Sequence, residues 1–522
     1  MILGDAARAP AEPSLNSSRV TIDEVLRCAA RQRPNALALI DSDDRERFTD
    51  GKPRRLTYAE ADRIVTAIAQ RLRGMGLPTD AIIGIQLPNI VENILTILGV
   101  MRAEMIAVPL PLLWRRAETI EALGRIGVKA LITCSHVGTF HHADLALHLA
   151  AELFSVRYVC AFGQNLPDGV VPFDDLIAAD ASDPAAPYDC ERKGNASSHV
   201  AAVTFDTCEG GIVPVARNHS ELLAGGLAVL LESRLLPEAN ILSALAPASF
   251  AGISVTLLPW LLSGGTLILH HPFEPDILAR QRQHHRCGAV IVPGPVAFAL
   301  PETGIFADTA QVSVIAAWRS PEQLAASPVW RTSNSEIVDV SIFGEIAIVP
   351  ARRGPDGSPS SIASGRLTVP LDQPDGLAVG ELTRTEASAL AIRGSMVPNH
   401  SFPPGIERSD VPHLKIGPEG FVDTGYSCRV EPATGTISIT GSPTGIAGVG
   451  GYRFPLHQLQ DEVSRIEDSA TLTTVPDPLL GKRLIGNAPD HSAIRTALSA
   501  AGANPIIVAA FRDRGERDHV GA

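Results

Sequence analysis

The sequence predicts an α/β protein: a large part made of helix-flanked sheets, a β-rich subdomain within it, and a small α+β unit at the C-terminal end. Three observations carry this expectation. From Thr21 to Cys134, apolar runs of strand length alternate with amphipathic helical patterns, the grammar of largely parallel sheets covered by helices. Between Ser358 and Gly405 the chain turns rich in Ser, Pro and Gly, with short alternating runs that read as antiparallel strands. At 522 residues, it needs more than one hydrophobic core.

In chain order, residues 1–19 have no long apolar core and no clear small-residue cleavage site, and are read as a frayed leader. Thr21 caps a first helix, IDEVLRCAARQ, and NALALIDS follows as a strand. Thr57 with Glu60 three residues on forms a capping box for the next helix, which Gly76 stops. AIIGIQLP, MIAVPL and KALITC are strands, separated by the helices NIVENILTILGVMRAE and TIEALGRIGV. An Asp-, Ala- and Pro-rich stretch over 175–199 reads as a linker before the strand HVAAVTF and the helix SELLAGGLAVLLES. From Gly420 short strands and turns lead through a Gly-rich turn into the amphipathic helix LHQLQDEVSRI.

Several function classes are excluded early. A net charge of −13 offers no electrostatic footprint for nucleic acid. Seven scattered cysteines, with no CxxC pair, fit a reduced, cytoplasmic protein and no zinc finger. No charged residue lies between Glu238 and Glu274, but Pro247, Pro259 and Gly264-Gly265 cut that stretch into pieces too short to span a membrane. The doublets His141-His142, His270-His271 and His284-His285 have no acidic cluster nearby, so solvated or capping histidines are expected and no metal site. No GxSxG nucleophile elbow is present.

The ordered segments LTYAEADRIVTAIAQRLRGMGL, IIGIQLPN, GVMRAEMIAVPLPL, LLPWLLSGGTLIL, GAVIVPGPVAFAL, LAIRGSMVP, GFVDTGY, TGTISITG and GGYRFPLHQLQDEV resemble the adenylate-forming family of acyl- and aryl-CoA synthetases, peptide-synthetase adenylation domains and luciferases. The resemblance runs over roughly residues 20–500 and implies that family's fold: a large AMP-binding-like domain over 20–440, its β-rich subdomain at about 358–440, and a shortened C-terminal domain over 446–522. It also implies a chemistry in which Mg-ATP converts a carboxylate to an acyl-adenylate, whose acyl group then passes to a thiol such as CoA.

The residues that chemistry needs are largely replaced. The phosphate loop, usually hydroxyls and glycines ending in Pro-Lys-Gly, corresponds to 204–215: Thr204, Thr207, Gly210, Gly211 and Pro214 persist, Val215 stands at the lysine, and Asp206 and Glu209 add negative charge. Two such charges beside a triphosphate cost several kcal/mol of repulsion, roughly, unless a metal intervenes. A surface β-turn with capping acids is therefore expected here, with Arg217 the one cation available to restore some phosphate affinity. At the acyl turn, Phe250 and Gly252 are the pocket candidates. Trp318 and Arg319 replace the glycines that usually stack on adenine and are expected to fill that slot or simply pack.

Phe343 and Gly344 keep the next motif's aromatic and glycine, but Ile346 and Ala347 replace its phosphate hydroxyl and magnesium carboxylate. Glu345, displaced roughly 6 to 7 Å along an extended chain, is a weak substitute ligand. Tyr426 stands at the ribose aspartate. The hinge, with Ser442, Gly445 and Gly448, lacks its charged side chains, which removes a reason for the C-terminal domain to adopt two orientations. The tail FRDRGERDHVGA has no catalytic lysine; only five lysines exist in the chain, and Lys482 is given no role.

These departures predict an acyl-CoA synthetase-like protein that is catalytically inactive or strongly impaired. It would bind an acyl or aryl group, an acyl-CoA, or a partner enzyme or carrier protein, and no cofactor is assigned to it. Two alternatives remain open. One is a working carboxylate-CoA ligase that uses Mg-ATP and CoA through Thr204, Thr207, Arg217 and Glu345. The other is a scaffold subunit of a biosynthetic complex.

Overall fold

The computed structural model describes residues 20–178, 194–308, 310–371 and 376–512. The expected leader, most of the expected linker and residues 513–522 lie outside these.

Two large sheets and one smaller one make up most of the chain. A seven-stranded sheet has the spatial order Val170–Pro172, Tyr158–Phe162, Ala130–Cys134, Ile82–Gln86, Ile106–Pro109, Val200–Cys208, Gly211–Asn218. All its neighbours are parallel except the last pair. An eight-stranded sheet runs Ala347–Arg352, Ser335–Phe343, Val312–Trp318, Ala289–Pro293, Asn240–Ser243, Thr266–Leu269, Leu37–Ile40, Arg55–Thr57, with only its two outermost pairs antiparallel. Residues 362–441 form a six-stranded antiparallel sheet. The C-terminal segment contributes two hairpins and the helices Leu456–Ile466, His491–Ala500 and Pro505–Ala509 around its own core of Phe454, Leu459, Val463, Leu498 and Phe511.

Local rules explain the framework. Thr21/Glu24 and Thr57/Glu60 form reciprocal capping boxes, satisfying backbone donors that each helix start leaves open. Every residue of the helix Val91–Arg102 is buried, which its nearly unbroken apolar sequence requires. Its one acid, Glu92, takes two hydrogen bonds from Arg45 and one from Arg54, while Asp41 accepts the Val91 N–H. A buried carboxylate is tolerated only with such partners.

The uncharged stretch after Glu238 folds as Phe250–Gly252, a π-helical turn Ile253–Leu257, and Leu258–Ser263, ended by Gly264 in the left-handed region (φ 65°). The strand Thr266–Leu269 follows. Among the described residues no helix is long and apolar enough to cross a membrane.

One member of each histidine doublet, His142, His270 and His285, is buried and departs from the solvated expectation, while His141 and His284 are exposed. His141 and His285 stand at helix-cap positions, and the His270 Nε2 accepts the Glu274 N–H at 3.0 Å. Burial, aided by Arg115 and His136, lowers the His142 pKa to about 3, and burial with His270 lowers that of His271 to about 4. A depressed imidazole binds fewer protons folded than unfolded, so stability should fall as pH drops below the ordinary value of about 6.5 and keep falling until the folded value is reached. The urea midpoint should therefore drop between pH 7 and pH 5, and His142→Phe should remove about 2 kcal/mol of that loss. An unchanged loss in the variant would contradict this assignment.

Candidate functional site

Strands Val200–Cys208 and Gly211–Asn218 pair down to Cys208↔Gly211, so the expected phosphate loop is a closed hairpin turned by Glu209-Gly210. Its strand residues spend their pairing on each other. Gly210 packs against Pro412, and Gly211, at φ 117°, passes so close to Glu121 that a Cβ would collide with that carboxylate. Thr204 is buried and its hydroxyl has no hydrogen-bond partner. Thr207 is also buried, at the foot of the turn.

Asp206 is not a capping acid. Its carboxylate accepts the Thr207 N–H at 2.7 Å and the Glu345 N–H at 2.9 Å, and it forms an ion pair with Arg453 of the C-terminal segment. Gly344 makes this possible: at φ 58° its missing Cβ would fall on the Asp206 carboxylate and close to the Arg453 guanidinium. Burial opposes the charge on Arg453, but Asp206, Tyr426 and Glu345 outweigh it and raise the guanidinium pKa. An ion pair between the hairpin and the C-terminal segment thus lies where the resemblance puts phosphate.

Arg217 is likewise engaged within the protein. It is 1% exposed, lies 3.7 Å above the Phe250 ring, and donates to the carbonyls of Met396 (3.2 Å), Ile346 (2.9 Å) and Glu345. Burial lowers its pKa to about 10, still a cation at neutral pH. Phe250, expected to face an acyl group, is fully buried beneath it; Ala251 and Gly252 are the residues of that turn that line the neighbouring cavity.

Glu345, the substitute magnesium ligand of the sequence reading, is 3% exposed. Its Oε2 accepts the Phe250 N–H at 2.6 Å and its Oε1 lies 3.8 Å from Arg319. Burial raises its pKa against the pull of Arg319. The carboxylate anchors a helix start. Phe343 and Tyr426, expected at adenine and ribose, pack edge-to-face at 5.5 Å, and the Tyr426 hydroxyl donates to the Arg319 carbonyl at 3.3 Å. Trp318 packs tightly on Gly294, and its Nε1–H donates to Asp339 at 2.7 Å. At the hinge, Gly445 (φ 72°) meets Glu209 and Gly448 approaches Ser320, while Ser442 lies in the preceding loop.

Beside these groups lies an apolar cavity of about 450 Å³, walled by Leu245, Val296, Leu300, Ile342 and Trp318, with Arg319 as its one charged residue. Gly451, Leu479 and Leu480 of the C-terminal segment complete it, and both leucines are partly exposed at its edge. Gly451, at φ 92°, leaves just enough room for the Arg319 side chain. The roles of Arg453 and of Leu479-Leu480 escape a sequence reading; the only local signal is the Gly450-Gly451 pair, whose φ of 54° and 92° bends the chain back on itself.

The family described as AMP-binding enzyme matches residues 26–205. The 2-hydroxy-7-methoxy-5-methyl-1-naphthoate–CoA ligase of Streptomyces carzinostaticus is 23% identical over 485 residues, covering 87% of this chain and 81% of that protein. The chain is similar to adenylate-forming enzymes in sequence and in fold. A salicyl-AMP ligase / salicyl-S-ArCP synthetase of Mycobacterium tuberculosis is 30% identical over 171 residues, 32% of this chain and 29% of that one. The fold agrees: the amide bond synthetase McbA from Marinactinospora thermotolerans superposes with a TM-score of 0.68 at 17% identity, over 94% of each chain. The chain therefore keeps that framework around a site most of whose polar groups are bonded to one another, the Thr204 hydroxyl and Arg217 Nη1 excepted.

Proposed function

We propose that this acyl-CoA synthetase-like protein binds an apolar, preferably aromatic, carboxylic acid in the 450 Å³ cavity and does not adenylate it. The observation that carries the reading is the Asp206–Arg453 ion pair, backed by the Glu345 amide, at the phosphate position. A magnesium-bound triphosphate does not fit the residues present. It would have to displace that pair, draw Glu345 away from the Phe250 amide, and accept two carboxylates as neighbours without a lysine.

The cavity itself suits a ligand. Its volume lies within the ordinary range for small-molecule sites, and its walls are apolar around one guanidinium. Arg319, bonded to the Ser249 hydroxyl, is the group placed to meet a ligand carboxylate. Relatives named for naphthoate and salicyl groups support an aromatic acid as the ligand class.

Calorimetric titration with 1-naphthoate and salicylate tests this. Binding to the wild type should need no nucleotide, and Arg319→Met should weaken it about 10- to 100-fold, the value of one charge-assisted hydrogen bond. If acids bind only with Mg-ATP, or if pyrophosphate is released, the working-ligase reading replaces this one.

A further inference from the structure

A second cleft, of about 630 Å³, lies away from the first, between the large sheets' framework and the C-terminal segment. One wall is the loop after strand Ile106–Pro109, with Leu112, Leu113 and Arg115, and the loop after strand Ala130–Cys134, with Val137, Phe140 and His142. The other wall is the end of the chain's last helices, with Val508, Ala509 and Arg512. Both loops leave the carboxyl ends of strands that flank Ile82–Gln86 in a parallel sheet. From Ile82–Gln86 the chain steps to one side to Ile106–Pro109 and then crosses to the other side to Ala130–Cys134, so the connections diverge there. In open parallel sheets such a divergence opens a ligand crevice.

The floor of this cleft is built for an anion. The Arg115 guanidinium is stacked 3.6 Å above the Phe140 ring, and Phe140 in turn meets His142 edge-on at 4.9 Å. Nη1 of Arg115 donates to the carbonyls of Leu112 (3.0 Å) and Trp114 (3.1 Å); its Nε and Nη2 have no such bond. His142 is 2% exposed, and its Nδ1 has no partner, although a buried ring nitrogen ordinarily finds one. Glu118, an acid that acts on the Arg115 charge, is held by the Arg115 N–H (3.2 Å) and by Asn504 (2.9 Å). Arg512 lines the opposite wall, and apart from Thr139 and Ser499 the remaining lining residues are apolar or glycine.

We infer that this seam is a second binding site, taking an oxyanion group, phosphate or carboxylate, on a small apolar body, with Arg115 and His142 as its polar contacts. Because its walls come from both sides of the seam, the ligand also fastens the C-terminal segment to the sheets. The site does not depend on the proposed acid cavity, since no residue of the floor lines that cavity.

Calorimetric titration of the full chain with phenyl phosphate and with phenylacetate tests the inference, the two probes separating phosphate from carboxylate. At least one should bind Arg319→Met, in which the acid cavity is disabled, and that binding should fall at least 10-fold when Arg115→Met is added. Ala509→Trp, which fills the cleft from the far wall and leaves Arg115 in place, should abolish it, keeping the test decisive if Arg115→Met fails to fold. Binding of neither probe to Arg319→Met, or binding there that survives Ala509→Trp or Arg115→Met, would overturn it.

Discussion

Arg217→Ala is expected to destabilise the protein by about 3–5 kcal/mol and to leave its response to Mg-ATP unchanged. The guanidinium is the post on which three backbone carbonyls, those of Met396, Glu345 and Ile346, converge above the Phe250 ring. Truncation leaves these acceptors buried without a donor and opens a void over an aromatic face. Lysine should not rescue, because one ammonium cannot reach three diverging carbonyls in the plane of a fork. Urea denaturation of Arg217→Ala and Arg217→Lys reads the cost directly. A loss below about 1 kcal/mol in the alanine variant would show that Arg217 is free for another role, such as the phosphate contact that sequence position alone suggests.

The second large effect is expected at the seam between the hairpin and the C-terminal segment. Asp206 and Arg453 are about seven-eighths shielded, with side chains 14% and 13% exposed, and nearby Glu345 makes a lone Asp206 carboxylate unfavourable. Arg453→Ala should therefore cost about 3 kcal/mol, near the lower end for breaking a buried pair because some water reaches it. Asp206→Ala should cost less, since it removes a carboxylate that Glu345 repels. A double-mutant cycle should give a coupling of about 1–3 kcal/mol between the two positions. Limited proteolysis should release the C-terminal segment faster in either single variant. Additive costs, with unchanged proteolysis, would mean that the pair does not hold the segment down.

Much of the framework was legible in the sequence because it rests on local rules. The Thr21/Glu24 and Thr57/Glu60 capping boxes and the strand-helix alternation from Leu37 to Cys134 depend on neighbours within a few residues. Pro247 and Gly264 bound the uncharged helical stretch as their backbone chemistry requires, whereas Pro259 does not cut it as expected, because Phe250 to Ser263 runs on helically through a π-turn. The site was legible only as a set of missing groups. That Glu345 turns toward the Phe250 amide, that Arg217 lies over Phe250, and that Asp206 meets Arg453 are contacts across 95, 33 and 247 residues, which no local pattern encodes. The buried His142 and His270 show the same limit. Residue type suggests solvent, whereas the packing of loops against neighbouring elements decides.

The proposed occupation of the triphosphate position by the Asp206–Arg453 ion pair is tested most directly by thermal unfolding of the wild type with and without Mg-ATP, with pyrophosphate release followed in the presence of 1-naphthoate. No shift with saturating Mg-ATP and no pyrophosphate are expected. Ligand at about 100 times its Kd would add about 2.7 kcal/mol, so a clear rise in unfolding temperature with Mg-ATP, or acid-dependent pyrophosphate release, would contradict it.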